Sequence, residues 1–68
     1  MSTFRVSFFK RLLNSDGRQF KCLQDRFDIP AVNAAQAELA AARQFEQLHR
    51  TRNWRTNADL IEIESAER

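Results

Sequence analysis

The sequence predicts a small α+β domain of order β-β-α-β: a three-stranded antiparallel sheet in order 2-1-3 with one helix packed on one face. Three observations predict it. Asn14-Ser15-Asp16-Gly17 separates two runs of strand character, Thr3 to Leu13 and Gln19 to Ile29. Ala34 to about Arg50 is built from Ala, Glu, Gln, Arg and Leu, all strong helix formers. Leu60-Ile61-Glu62-Ile63-Glu64 reads as a final strand, with Ile61 and Ile63 toward the core.

In the first strand Phe4, Val6 and Phe8 alternate with Thr3, Arg5 and Ser7, the period of a half-buried strand. The turn has Asn first, Ser and Asp in the middle and Gly last, which suits a type I turn closed by a glycine at positive φ. After it, Phe20 and Cys22 share one face, while Phe27 and Ile29 alternate out of phase with them. The turn sets Leu12 opposite Phe20 and Lys10 opposite Cys22. Continued unchanged, that register puts Val6 opposite Arg26 and Phe4 opposite Asp28, leaving one face half charged. One extra residue around Leu23 to Asp25 brings Val6 opposite Phe27 and Phe4 opposite Ile29, so a β-bulge is predicted there. Pro30, which cannot donate to a ladder, is expected to end the strand.

Asn33, with Gln36 three residues on and Val32 before it, predicts a capping box with a hydrophobic staple from Val32 to Ala37. Along the helix Ala34, Ala37, Ala41, Phe45 and Leu48 form one stripe whose small residues allow close approach to a sheet. Thr51 to Asn57 holds polar turn formers around Trp54, and the tail 65–68 is expected to fray. A right-handed crossover through the helix places strand three parallel to strand two, on the far side of strand one. One sheet face is then covered and the other is open to solvent or a partner.

At 68 residues and 8.0 kDa the chain makes one small domain, 1–68, with little room for a buried catalytic cleft. The net charge of +2 is unevenly placed: six basic and two acidic residues from Met1 to Arg26, four Arg and one Glu from Arg43 to Arg55. Cys22 is the only cysteine, which excludes an intramolecular disulfide and suits a reducing compartment. No apolar run approaches a signal-peptide core or a membrane span. Met1 reads as a native start, and the expectation is a complete cytoplasmic protein.

The open face is expected to carry Arg5, Ser7, Phe9, Arg11 and Leu13 from strand one and Lys21 from strand two. Phe9 and Leu13, with Leu23, make an apolar patch suited to another copy or another protein. Arg5, Arg11 and Lys21, with Arg50, Arg52 and Arg55 after the helix, are the candidate nucleic-acid contacts. Against that, Glu62 and Glu64 fall on the same face, where cross-strand pairs would neutralise the cations, and arginines near a helix C-terminus also complement its dipole. Trp54 reads as a plug over the helix end rather than a stacking platform, Cys22 as a small buried residue on the helix side, and His49 as a surface or helix-end residue. Gly17 is the only glycine, so there is no phosphate-cradling loop, and no ligand spacing suits a metal.

Phe4-Arg5-Val6-Ser7-Phe8, Leu12-Leu13-Asn14-Ser15-Asp16-Gly17 with Phe20 and Cys22, and Asn53-Trp54 with Ala58-Asp59 and Ile61-Glu62-Ile63-Glu64 resemble a group of very short uncharacterised bacterial proteins. The resemblance spans most of the chain except the helix. It is a pattern of turn and core residues. It implies a bacterial cytoplasmic protein of unknown function and carries over no functional residue.

The expectation is therefore a non-enzymatic module, without cofactor, metal or membrane, that binds another protein or itself through the open face. The alternative is a weak nucleic-acid binder.

Overall fold

The computed structural model describes residues 1–66. Strands β1 (Ser2–Leu13) and β2 (Gln19–Ala31) form a long hairpin, helix α1 (Ala34–Leu48) follows, and a one-turn 3₁₀ helix (Trp54–Thr56) leads into β3 (Leu60–Ser65). The sheet is antiparallel throughout, in order β2-β1-β3.

The hairpin turn is held as its residues predict. The Gly17 N–H donates to the Asn14 carbonyl at 3.0 Å, and the Asn14 side-chain oxygen accepts from the N–H groups of Asp16 and Arg18, each at 2.9 Å. Gly17 has φ +80°, with nothing within 4 Å of where a Cβ would sit. The expected register is present: Leu12 faces Phe20, Lys10 faces Cys22, Val6 faces Phe27 and Phe4 faces Ile29. The slip lies where Phe8 pairs Asp25 and Phe9 pairs Leu23, so Gln24 is the extra residue of the bulge.

Pro30 does not end the strand; β2 runs on to Ala31. The Thr3 carbonyl accepts from the Ala66 N–H, so Thr3 turns its backbone groups away from β2. Its partner Pro30 consequently points its nitrogen outward, at the sheet edge, where no donor is missed. The same bond, with Ser65 closing β3, ties down the part of the tail expected to fray; positions 67–68 lie outside the described residues.

Asn33 caps α1 by accepting from the Gln36 N–H at 2.9 Å. The staple is absent: Val32 is 75% exposed while Ala37 is buried. The buried stripe narrows to Ala37, Ala41 and Phe45, because Ala34 and Leu48 at the helix ends overhang the sheet. The helix stops at Leu48, two residues short of the expected Arg50. The Thr51 N–H reaches back to the Glu46 carbonyl at 2.9 Å and the Arg50 N–H to Gln47 at 3.3 Å. This is a Schellman ending with Arg50, φ +53°, in the left-handed position that glycine usually takes.

Two backbone substitutions should therefore act with opposite sign. Gly17→Ala is expected to cost about 1 kcal/mol from the backbone alone, since its side chain meets nothing. Arg50→Gly is expected to raise stability by up to about 1 kcal/mol. Thermal unfolding of the two variants checks this, with Tm moving down and up by about 4–8 °C per kcal/mol.

The core gathers Val6, Phe8, Ile29, Ala31, Ala37, Ala41, Phe45 and Ala58 between the sheet and α1. Phe8 is its centre. Its ring stacks on Phe45 at 4.3 Å between centroids and meets Phe27 and Trp54 edge-on at 5.8 and 5.7 Å. Helix and 3₁₀ turn cover the sheet only up to Phe8. Beyond that level the hairpin projects as a two-stranded arm, and every residue from Lys10 to Lys21 is exposed.

Candidate functional site

The pairing assigns each residue to a face. Phe4, Val6, Phe8, Phe27, Ile29, Ile61 and Ile63 turn toward the helix. Arg5, Ser7, Phe9, Arg11 and Leu13 of β1 turn to the open face, as expected, with Lys21, Leu23, Arg26 and Asp28 of β2 and Leu60, Glu62 and Glu64 of β3.

Across the middle of that face, Phe9 pairs Leu23 on one side and Leu60 on the other. The three side chains form one apolar row running the full width of the sheet. Leu23 is 45% exposed, and Phe9 and Leu60 are half-buried by each other and by their neighbours. Leu13, 67% exposed, stands further out along the arm on the same side. Of the expected patch, Phe9 and Leu23 are brought together directly and Leu13 is one apolar step removed. Leu60 was not among the expected site residues. The strand Leu60-Ile61-Glu62-Ile63-Glu64 carried the signal, since Leu60 shares a face with Glu62 and Glu64.

On the side of this row away from the arm lies a carpet of paired charges. Arg5 Nε donates to Asp28 at 3.1 Å and its guanidinium lies 3.9 Å from Glu64. Arg26 Nε donates to the Ser7 hydroxyl at 3.1 Å, and Ser7 is buried beneath it. Lys21 pairs with Glu62, and its ammonium sits 4.7 Å over the Phe9 ring. Ser7, Phe9, Arg26, Glu62, Ile63 and Glu64 line a shallow depression of about 400 Å³. Two of the expected nucleic-acid contacts, Arg5 and Lys21, are thus engaged by acids on their own sheet. Such exposed pairs add at most about 1 kcal/mol each, but they cancel the field a phosphate would feel.

The remaining cations gather around the arm and the far end of the helix. Arg11 gives its backbone N–H to the Asp59 carboxylate at 2.6 Å, while the Asp59 N–H donates to the Phe9 carbonyl at 2.7 Å. Asp59 thereby extends the β1–β3 ladder by one step. The Arg11, Arg50 and Arg52 side chains meet no acid among the described residues, and all three are exposed. Arg55 lies 5.3 Å over the Trp54 ring. Trp54 is half-buried, its ring edge-on to Phe8, and its backbone N–H donates to the Glu46 carboxylate at 3.0 Å, which places it as the expected plug.

His49 is more than a helix-end residue. Its Nε2 lies 2.7 Å from the Asp25 carboxylate and its ring packs 4.2 Å from Phe45. The bulge aims Asp25 at it, so the pair ties the end of α1 to β2. Cys22 is half-buried rather than buried, because it sits level with Lys10, past the end of the helix. Among the described residues no three His, Cys, Asp or Glu side chains gather where an ion could be held, and no helix is long and apolar enough to cross a membrane.

Compared with protein-family models, curated proteins and solved structures, the chain matches none of them.

Proposed function

We propose that this chain is a non-enzymatic module that binds protein through its open sheet face. The observation that carries this is the row Leu23–Phe9–Leu60, apolar from edge to edge, with no helix or strand of the chain packed on it and only the Lys21 ammonium over the Phe9 ring. Charges on one side of the row are already paired, so a partner covering them loses little hydration it cannot replace. A photo-reactive phenylalanine analogue at position 9 is expected to give protein adducts in cells, and the same probe at Leu39, 60% exposed on the helix, to give few. Equal adducts from both positions would sink the reading.

Nucleic-acid binding is the second reading, favoured by the exposed arginines Arg11 and Arg18 on the arm and Arg50, Arg52 and Arg55 after the helix, none of them in an ion pair among the described residues. It predicts affinity falling steeply with salt. The engagement of Arg5 and Lys21 by Asp28, Glu62 and Glu64 weighs against it.

A further inference from the structure

We infer that the protein partner of the open face brings a carboxylate, an Asp or Glu side chain flanked by apolar side chains, and seats it on Arg26 and Ser7 beside the Phe9 row. This rests on the reading above that the open face binds protein.

The cations of this face are unequally satisfied. Arg5 is held between Asp28 and Glu64, and Lys21 is held by Glu62. Arg26 is exposed and in no ion pair among the described residues. Its Nε donates to the Ser7 hydroxyl at 3.1 Å. Ser7 sits in the central strand directly opposite Arg26 and is 6% exposed, so the guanidinium is tethered by one edge to a fixed point in the sheet. The terminal NH₂ groups are left as a pair of donors whose spacing matches the two oxygens of a carboxylate.

The tether stands next to the apolar row. Ser7 and Phe9 point to the same face, roughly 7 Å apart along β1, and both line the depression of about 400 Å³ that Arg26 also lines. A partner covering Leu23, Phe9 and Leu60 therefore takes Arg26 out of water too. Arg5 and Lys21 carry their own acids into such an interface, and Arg26 carries none. A charge desolvated without a counter-ion is penalised heavily, whereas an arginine met in fork geometry at the edge of an apolar patch is a strong anchor.

The neighbouring acids define how much negative charge fits. Asp28, Glu62 and Glu64 outnumber Arg5 and Lys21 by one on this part of the face. They repel a run of phosphates or a polyacidic segment and leave room for one anion on Arg26 itself. A single carboxylate between apolar side chains meets both conditions, and a polyanion meets only one.

Selection of peptides from a random displayed library on the full chain, followed by fluorescence anisotropy of the selected peptides, tests this. The expected peptides carry one Asp or Glu next to apolar side chains. Changing that acid to its amide, or Arg26→Gln in the chain, is expected to weaken binding at least about thirtyfold, and the two changes together should cost no more than either alone. Arg26→Lys keeps the charge, loses the fork and should weaken binding as well, while Arg43→Gln on the exposed side of α1 should not. An unchanged circular dichroism spectrum of Arg26→Gln shows that the fold is intact. Peptides that need Phe9 but are indifferent to Arg26→Gln overturn the carboxylate and leave the wider reading standing. Peptides indifferent to both Phe9→Ala and Arg26→Gln, or no selected peptide at all, overturn both. Displacement of the peptide from wild type, but not from Arg26→Gln, by a short single-stranded oligonucleotide at low salt overturns the inference in favour of phosphate.

Discussion

Phe8→Ala is expected to leave the chain unfolded at 25 °C. Phe8 is fully buried and is the residue on which helix, sheet and 3₁₀ turn meet, through Phe45, Phe27 and Trp54. Phe→Ala in a core costs about 3–5 kcal/mol, transfer and cavity terms together. A single core below 70–80 residues rarely supplies more than about 3–5 kcal/mol in total. The substitution therefore removes most or all of the margin. Collapse of the cavity could recover little, because the backbone on both sides is fixed: β1 is the central strand, and Ala37 and Ala41 already hold the helix close. Phe8→Leu, which keeps most of the volume, is expected to stay folded and lose about 1.5 kcal/mol or less beyond the aromatic contacts. Urea unfolding followed by circular dichroism distinguishes the two. A cooperative transition in Phe8→Ala with a midpoint near wild type would show that the stack on Phe45 is not the centre of the core.

The elements readable in the sequence are those in which local chemistry and long-range pattern agree. The turn was written in Asn14 and Gly17. The bulge was legible because side chains alternate with period two, so the phase change between Cys22 and Phe27 had to be absorbed somewhere between them. What escaped depends on geometry that no local pattern encodes. Pro30 sits inside β2 because that strand is an edge and Thr3 pairs with it in the non-bonded register, a fact of sheet order rather than of composition. Arg50 occupies a left-handed position without the glycine that would have announced it. Leu60 joins Phe9 and Leu23 only through the offset of β3 against β1. The Asp25–His49 contact needs both the bulge and the helix length to bring them within 2.7 Å. Of the open face, the residues on β1 were legible by alternation alone, and the engagement of Arg5 and Lys21 followed from placing Glu62 and Glu64 beside them.

Trp54→Ala bears on both stability and function. The half-buried indole closes the end of the core above Phe8, and the Trp54 backbone N–H is held by the Glu46 carboxylate. Full truncation of a buried Trp costs about 3–5 kcal/mol; for a ring covered on one side, roughly 2 kcal/mol is expected, a lowering of Tm by about 8–16 °C in a domain of this size. Trp54→Phe should recover most of that, because an edge-on ring against Phe8 is kept. Neither change should alter association through the open face, since the indole packs from the helix side of the sheet, behind Phe8. Were Trp54 instead a platform for a nucleobase, with Arg55 above it as the cation, Trp54→Ala would leave Tm nearly unchanged and abolish binding to short single strands. Calorimetry and a fluorescence titration with a mixed-sequence oligonucleotide, run on the same variant, separate the two. The plug moves the first and the platform moves the second, and the packing of Trp54 on Phe8 commits the residue to the plug.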